Sequence, residues 1–303
     1  MPGVIPVWAR EMKNLKRFAQ KQFGRLWLLL VYLFLYIPLL FLIVFSFNST
    51  RQDGIFTGFS LRWYAALLDD SRLVDGFFLS LKVALLSGTL SVLLGTFAAF
   101  VLVRYLRFTG RTLFYGLVNA PLVMPEVITG LSLLLLMVLV QRLIGWPDRG
   151  FITIVVGHTL LGMAYATVVI QSRLSEVDRS IEEAAMDLGC GPMQVFFLVT
   201  LPNIAPALVS SWLLSFTLSF DDVVISEFLS GPGVTTLPQV IFSYARRGVN
   251  PSIYAAATLL IAVVSLGILA YSVFMLRRQK RLDREISEVA RPVALVPDPS
   301  RAG

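Results

Sequence analysis

The chain has 303 residues, of which 56% are hydrophobic and 15% charged, with a mean hydropathy of +0.75. A soluble domain carries about 25% charged residues, and here the charges cluster between long uncharged runs, so composition excludes an ordinary soluble domain and indicates a polytopic membrane protein. The net charge of +7 lies at the ends of apolar runs, which marks topology rather than nucleic-acid binding, and the single cysteine, Cys190, excludes an internal disulfide.

A spanning helix needs about 20 apolar residues. A basic N-terminus (Arg10, Lys13, Lys16, Arg17, Lys21, Arg25) leads into the first such run, residues 26–47. That run is too long for a signal-peptide core and no small-x-small cleavage site follows it, so it reads as a retained span. Residues 61–68, with Trp63 and Tyr64, read as a short amphipathic helix at the headgroup level. The second span is 77–103, with Lys82 near one end, and the third is 113–140, holding Pro121, Pro125 and Glu126. The fourth, 151–170, carries the only histidine, His158. A lone intramembrane histidine reads first as hydrogen-bonded packing, and without a second His or a Cys partner no metal site is expected. A polar island, 171–202, separates it from the fifth span, 203–229, which contains Asp221 and Asp222. A Gly231-Pro232-Gly233 turn then precedes a short helix, 238–247, closed by Gly248. The sixth span, 253–276, ends in a basic tail from Arg277 that reads as continued helix against anionic lipid.

Lys and Arg set the orientation. Six precede span one, three (Arg104, Arg107, Arg111) follow span two, two (Arg173, Arg179) follow span four and seven lie in the tail. These segments are assigned to the cytoplasm, with both termini inside and the loops 48–76 and 230–252 outside. The expected organisation is a basic N-terminal segment 1–25, a permease domain 26–276 with an inner loop 171–202, and a tail 277–303.

The island is the most informative stretch. Acidic residues early in its helix (Glu176, Asp178, Glu182, Glu183) suit the positive N-terminal end of a helix, and Ala184 and Ala185 favour its interior. Gly189 and Gly191 permit a sharp turn, Pro192 starts a second helix, and Pro202 is expected to stop or bend the chain before span five. Read by composition, helix, glycine turn and helix at a membrane surface are either a plain connector or an element seated in a partner's cleft. In the second case Ala184 and Ala185 permit close approach, and Glu182, Glu183 and Asp187 offer charges.

The spacing Glu183-Ala184-Ala185-x3-Gly189, then Leu201-Pro202, resembles the EAA loop of bacterial ABC importer permeases, with Cys190 where Ala is often found. Residues 119–130, from Asn119 through Pro125-Glu126 to Gly130, and 216–226, with Phe220-Asp221-Asp222, are similar to spans three and five of polyamine permeases. The likeness covers nearly everything after Arg25, and within that family the second permease of putrescine importers is nearest, spermidine systems next. The resemblance implies an all-α, six-helix type I ABC importer permease in the inner membrane, forming half of a pore. Its implied partners are a second permease, two ATPase subunits and a periplasmic polyamine-binding protein. Glu182, Glu183, Ala184, Ala185, Asp187, Gly189, Leu201 and Pro202 would then face or support the ATPase. The chain has no Gly-Lys dipeptide and hence no Walker loop. No cofactor is expected on it, ATP being hydrolysed by the partner, and no enzymatic activity is expected.

Ionisable groups inside spans are costly and are functional candidates by default. Glu126 lies past the middle of span three, and Asp221 and Asp222 lie at similar or more outward depth in span five. Three carboxylates at comparable height suit a polyamine, with Trp212, Phe216 and Phe220 covering its methylenes and adding cation–π contact. Alternatively, Glu126 makes an interhelical hydrogen bond, or the aspartates cap a span that ends in water near Phe220. Glu227 is read as a charge at the outer mouth. Arg246 and Arg247 either dock a binding protein or cap their helix. Rival functions are an ABC permease for another solute, which as an anion would need basic lining, and a proton-driven carrier, which usually has internal repeats and more spans.

Overall fold

The computed structural model describes residues 7–50, 55–247 and 251–290. Apart from an isolated bridge between Asn48 and Phe59, the regular structure among these residues is helical.

One compact unit holds residues 68–249. Small residues recur along three of its long helices and set their packing. In α3 (Ser71–Arg104) these are Ser80, Ala84, Ser87, Gly88, Ser91 and Gly95. Gly157, Gly162 and Ala166 line α6 (Phe151–Glu176), and Ala207, Ser211, Ser215 and Ser219 line α9 (Leu201–Phe220). All are buried. In lipid there is little hydrophobic drive between helices, so close backbone approach and interhelical hydrogen bonds hold them together. A Cβ on Gly95 would come 3.0 Å from the Thr167 amide nitrogen, and one on Gly88 would sit 3.4 Å from that of Phe216. Hydroxyls cross the same seams: Ser91 donates to the Thr159 carbonyl at 3.2 Å and Ser215 to that of Gly162 at 3.2 Å. Bulkier cores flank this centre, around Val83, Leu133, Ile154, Ile225 and Leu229 at one end and Ala99, Ile170, Leu174 and Ile204 at the other.

Several expected boundaries change. The run 113–140 is two helices, α4 (Arg111–Val123) and α5 (Glu126–Ile144). Pro125 lacks an amide proton and forces Met124 into extended backbone. The fourth helix continues past residue 170 to Glu176. The run 203–229 is also two helices, α9 and α10 (Val224–Leu229), separated at 221–223. Nor does Pro202 stop the chain. Between α6 and α9 come α7 (Arg179–Asp187), α8 (Pro192–Val195) and a π turn, Phe196–Thr200, that runs directly into α9. The Leu201 amide reaches back five residues to the Phe196 carbonyl, and this π turn carries the chain without interruption into Pro202, which has no amide to bond. After α10, α11 (Leu237–Arg247) packs on α3. The closing Gly248 lies outside the described residues.

The second unit contains residues 1–67 and 250–303. Here α1 (Val7–Ser46) packs against α12 (Pro251–Ala290), and α2 (Arg62–Asp69) begins near the unit's boundary. Trp63 is buried within the unit, and its Nε1 donates to the Asn48 carbonyl at 2.7 Å. The Tyr64 hydroxyl pairs with Ser46 at 2.8 Å, and its ring lies 5.4 Å from that of Phe47. The helical tail reaches Ala290, and residues 291–303 lie outside the described set.

Five helical stretches among the described residues are long and apolar enough to cross a membrane: Gln22–Ser46, Ser71–Arg104, Glu126–Ile144, Phe151–Glu176 and Pro192–Phe220. The sixth expected span falls on α12, where the apolar stretch found is the shorter Pro251–Gly267.

Candidate functional site

At the Arg104 end of the larger unit, the polar island forms a protruding corner. Asp178 caps α7 by accepting the Ser180 amide at 3.0 Å, and that bond holds its carboxyl below the usual carboxylate range. At the other end of α7, the Gly189 amide bonds the Met186 carbonyl at 2.9 Å and the Cys190 amide the Ala185 carbonyl at 3.1 Å. This bond pair is a Schellman closure, and its left-handed residue is Gly189, with φ of 92°. The spacing from the alanines to Gly189 is therefore helix geometry: the glycine ends the helix and turns the chain. Gly191 follows, its amide bonded to Gln194 Oε1 at 2.9 Å at the start of α8.

Glu183, Ala184, Asp187 and Gly189 are exposed, as are Met186, Leu188 and Met193, with Leu188 87% accessible. Ala185 and Leu201 are half-buried and Pro202 is exposed. Glu182 departs from the expectation of a free charge. Its Oε1 lies 2.7 Å from Arg104 Nη2 and also accepts the Thr200 hydroxyl at 2.7 Å. The carboxylate is consumed inside the chain because α7 folds back over the end of α3.

The two helix breaks form the second locality. Glu126 is the first residue of α5, where its charge suits the helix dipole. It is exposed, and its side chain makes no hydrogen bond or ion pair among the described residues. Nearby in sequence, Gly130 accommodates the Phe228 ring, which joins α5 to α10. At the end of α9, Asp221 is exposed, whereas Asp222 turns inward. Asp222 accepts the Ser226 amide at 2.8 Å and the Ile225 amide at 3.3 Å, capping α10, and its Oδ2 lies 3.1 Å from His158 Nε2. Its side chain is 7% exposed and that of His158 is 2%. Asp222 is thus a buried and paired carboxylate rather than a cap in water, because burial demands a partner and His158 supplies it.

The remaining polar atoms complete a buried line of hydroxyls. Ser87 donates to Ser219 at 2.9 Å, and Ser219 lies 2.6 Å from His158 Nδ1. With Ser219 donating to Nδ1, the Nε2 proton points to Asp222 and to the Ser226 hydroxyl at 3.1 Å. The network ties α3, α6, α9 and α10 at the second helix break.

Trp212, Phe216 and Phe220 lie four residues apart on α9 and form a ladder. Their rings are near-parallel, with centroids 5.4 Å and 5.8 Å apart, and Phe77 meets Phe220 edge-on at 6.1 Å. All three are half-buried, and Trp212 Nε1 donates to Thr89 at 3.1 Å. Elsewhere, Glu227 Oε2 accepts from Gln239 at 3.0 Å, so it is tied between α10 and α11. Arg246 is exposed with its guanidinium 4.4 Å over the Phe242 ring, and the side chain of Arg247 lies outside the described set.

Sequence reasoning missed two pairings, His158 with Asp222 and Arg104 with Glu182. Each joins residues more than 60 positions apart. For the first pair a signal existed: a histidine in an apolar helix needs a polar partner at its own depth, and the aspartates were at hand.

A protein family described as the inner membrane component of binding-protein-dependent transport systems matches residues 91–284. The chain belongs to this family of multi-pass inner-membrane permeases. It is 52% identical over 266 residues, 87% of this chain and 94% of the relative, to the putrescine transport system permease protein PotI of Escherichia coli K12. It is 37% identical over 248 residues, 82% of this chain and 94% of the relative, to the spermidine/putrescine transport system permease protein PotC of Haemophilus influenzae. A crystal structure of a bacterial ABC transporter involved in the import of the acidic polysaccharide alginate shares the fold, with a TM-score of 0.67 at 17% identity over 89% of this chain and 99% of the other.

Proposed function

We propose that this chain is one permease half of an ATP-driven importer of polyamines, putrescine foremost. The single observation that carries the substrate is the 52% identity, over nearly the whole relative, to a putrescine permease. We read the sixth span in α12 and place both termini in the cytoplasm by the positive-inside rule. The partners are a second permease, two ATPase subunits and a periplasmic binding protein. The chain binds no nucleotide and catalyses no reaction.

The exposed corner of Glu183, Ala184, Asp187, Leu188 and Gly189 is the part that seats in the ATPase. A short helix locked by a Schellman turn is stiff enough to be pushed. Glu126 and Asp221 are the carboxylates that meet the ammonium groups, because both are exposed at helix breaks, where unwound backbone lines a cavity at low cost. The Trp212–Phe216–Phe220 ladder faces the methylene chain. Asp222 stays out of the substrate path, held by His158. Arg246 is a docking charge for the binding protein.

The test is uptake of labelled putrescine and spermidine by the complete transporter, with the ATPase intact or inactivated. Putrescine uptake that stops with the ATPase supports the reading. Uptake that survives ATPase inactivation would indicate a secondary carrier, and uptake of neither label would remove the polyamine assignment.

A further inference from the structure

The exposed corner can drive the bundle only if its movement reaches the spanning helices; α7 follows α6 directly in the chain, and its side-chain ties to α3 and α9 run through one carboxylate oxygen and one guanidinium. Glu182 Oε1 holds α7 to Arg104 at the end of α3, and to Thr200 at the π turn leading into α9, both at 2.7 Å. The two charged side chains are 10% and 13% exposed, so the pair is shielded from the screening that weakens surface ion pairs. Arg179, the first residue of α7, adds a second tie: its Nη2 donates to the carbonyls of Arg104 at 2.9 Å and Val103 at 3.3 Å. Those are terminal carbonyls of α3, which lack partners within the helix. Phe100, Tyr105, Val195 and Phe196 wall the surrounding cleft of about 270 Å³.

The other end of α3 is also fastened. This helix is unbroken over 34 residues and contains no proline, which gives it a length of about 50 Å. Near its first residues the Ser80 hydroxyl accepts the Leu237 amide at 2.9 Å, and the N-capping Asp70 accepts the Tyr244 hydroxyl at 2.8 Å, both from α11. The neighbouring runs are interrupted at residues 124–125 and 221–223, whereas α3 and α6 are unbroken; of these two, α3 is the longer and the one that α11 packs against.

We infer that Glu182 is a positioning residue rather than an ATPase contact, and that the Arg104–Glu182–Thr200 clamp makes α7, α3 and the start of α9 one mechanical body. Displacement of the corner then moves α3 as a rod and reaches α11 on the far face. This rests on the reading that the corner faces the ATPase.

The test uses the complete transporter in proteoliposomes, with Cys190→Ser and an environment-sensitive fluorophore on Leu68→Cys, an exposed position just before α3. The emission change between ADP and ATP reports the far face and needs no transported solute. In Arg104→Ala and in Glu182→Gln we expect at least a fivefold loss of that change and of solute moved per ATP, with the ATPase subunits still captured. The exchanged pair Arg104→Glu with Glu182→Arg recovers at least half, as does Arg104→Lys alone. The inference is overturned if either single variant keeps the response within twofold of the intact transporter. It is also overturned if Glu182→Gln prevents ATPase capture while Arg104→Ala does not, since Glu182 would then be an interface charge. A normal nucleotide response in a transporter that moves no polyamine would uphold the clamp and remove only the substrate assignment.

Discussion

Replacing Asp222 separates structural burial from substrate binding. In Asp222→Ala the Ser226 and Ile225 amides lose their acceptor in a place almost closed to solvent, and His158 Nε2 keeps only the Ser226 hydroxyl. A buried donor left without a partner costs about 1–3 kcal/mol, so two orphans cost roughly 2–6 kcal/mol. Asp222→Asn keeps a carbonyl oxygen for the Ser226 amide and loses only charge assistance, for about 1–2 kcal/mol. The assay is the apparent unfolding midpoint of the detergent-purified transporter, read beside uptake in cells at matched membrane levels. The Ala variant should melt several degrees lower and accumulate poorly. The Asn variant should melt slightly lower and transport nearly as the intact protein does. The reasoning is refuted if Asp222→Ala melts unchanged, or if Asp222→Asn abolishes uptake while melting unchanged, because Asp222 would then be reading the substrate.

Asp221→Asn, by contrast, should leave melting and assembly intact and raise the half-saturating putrescine concentration about tenfold, as loss of one ammonium contact worth about 1.4 kcal/mol predicts; unchanged uptake kinetics would remove Asp221 from the path. Gly189→Val places a β-branched side chain at a φ of 92°, a strain of about 1–2 kcal/mol, and should cut ATP-dependent uptake while the permease still reaches the membrane. Gly95→Leu would drive a side chain into the Ala166–Thr167 backbone, and overpacking of at least about 1–3 kcal/mol should appear as a lower yield of assembled complex. The Asp178 cap should give α7 a pH dependence. Its carboxyl is held low by the Ser180 amide, so its stabilisation is complete above the unfolded value of about 3.9 and disappears as pH falls through the lower folded value. Amide exchange at Ser180 and Ile181 should therefore speed up in Asp178→Ala at neutral pH, and the intact chain should match it only in strong acid.

The sequence by itself determined the class and its coarse layout. Runs of apolar residues long enough for a bilayer located the spanning stretches, because length and hydropathy are local properties. The helix–turn–helix of the island was equally local: Asp178, Ala184, Ala185 and Gly189 each act within one turn of themselves, and the Schellman glycine stands where the spacing put it. Tertiary structure decided which polar groups face inward. Glu182 and Glu183 are adjacent, yet one is clamped by Arg104 and the other is exposed, and Asp221 and Asp222 divide in the same way. Adjacent helical residues differ by about 100° in direction, so only the position of a distant helix, α3 for one pair and α6 for the other, determines which carboxylate is buried. The break at Pro125 is local, since the proline itself lacks the amide a continuing helix needs. The break at 221–223 depended on tertiary information, because it is a cap for α10 completed by a histidine 64 residues away.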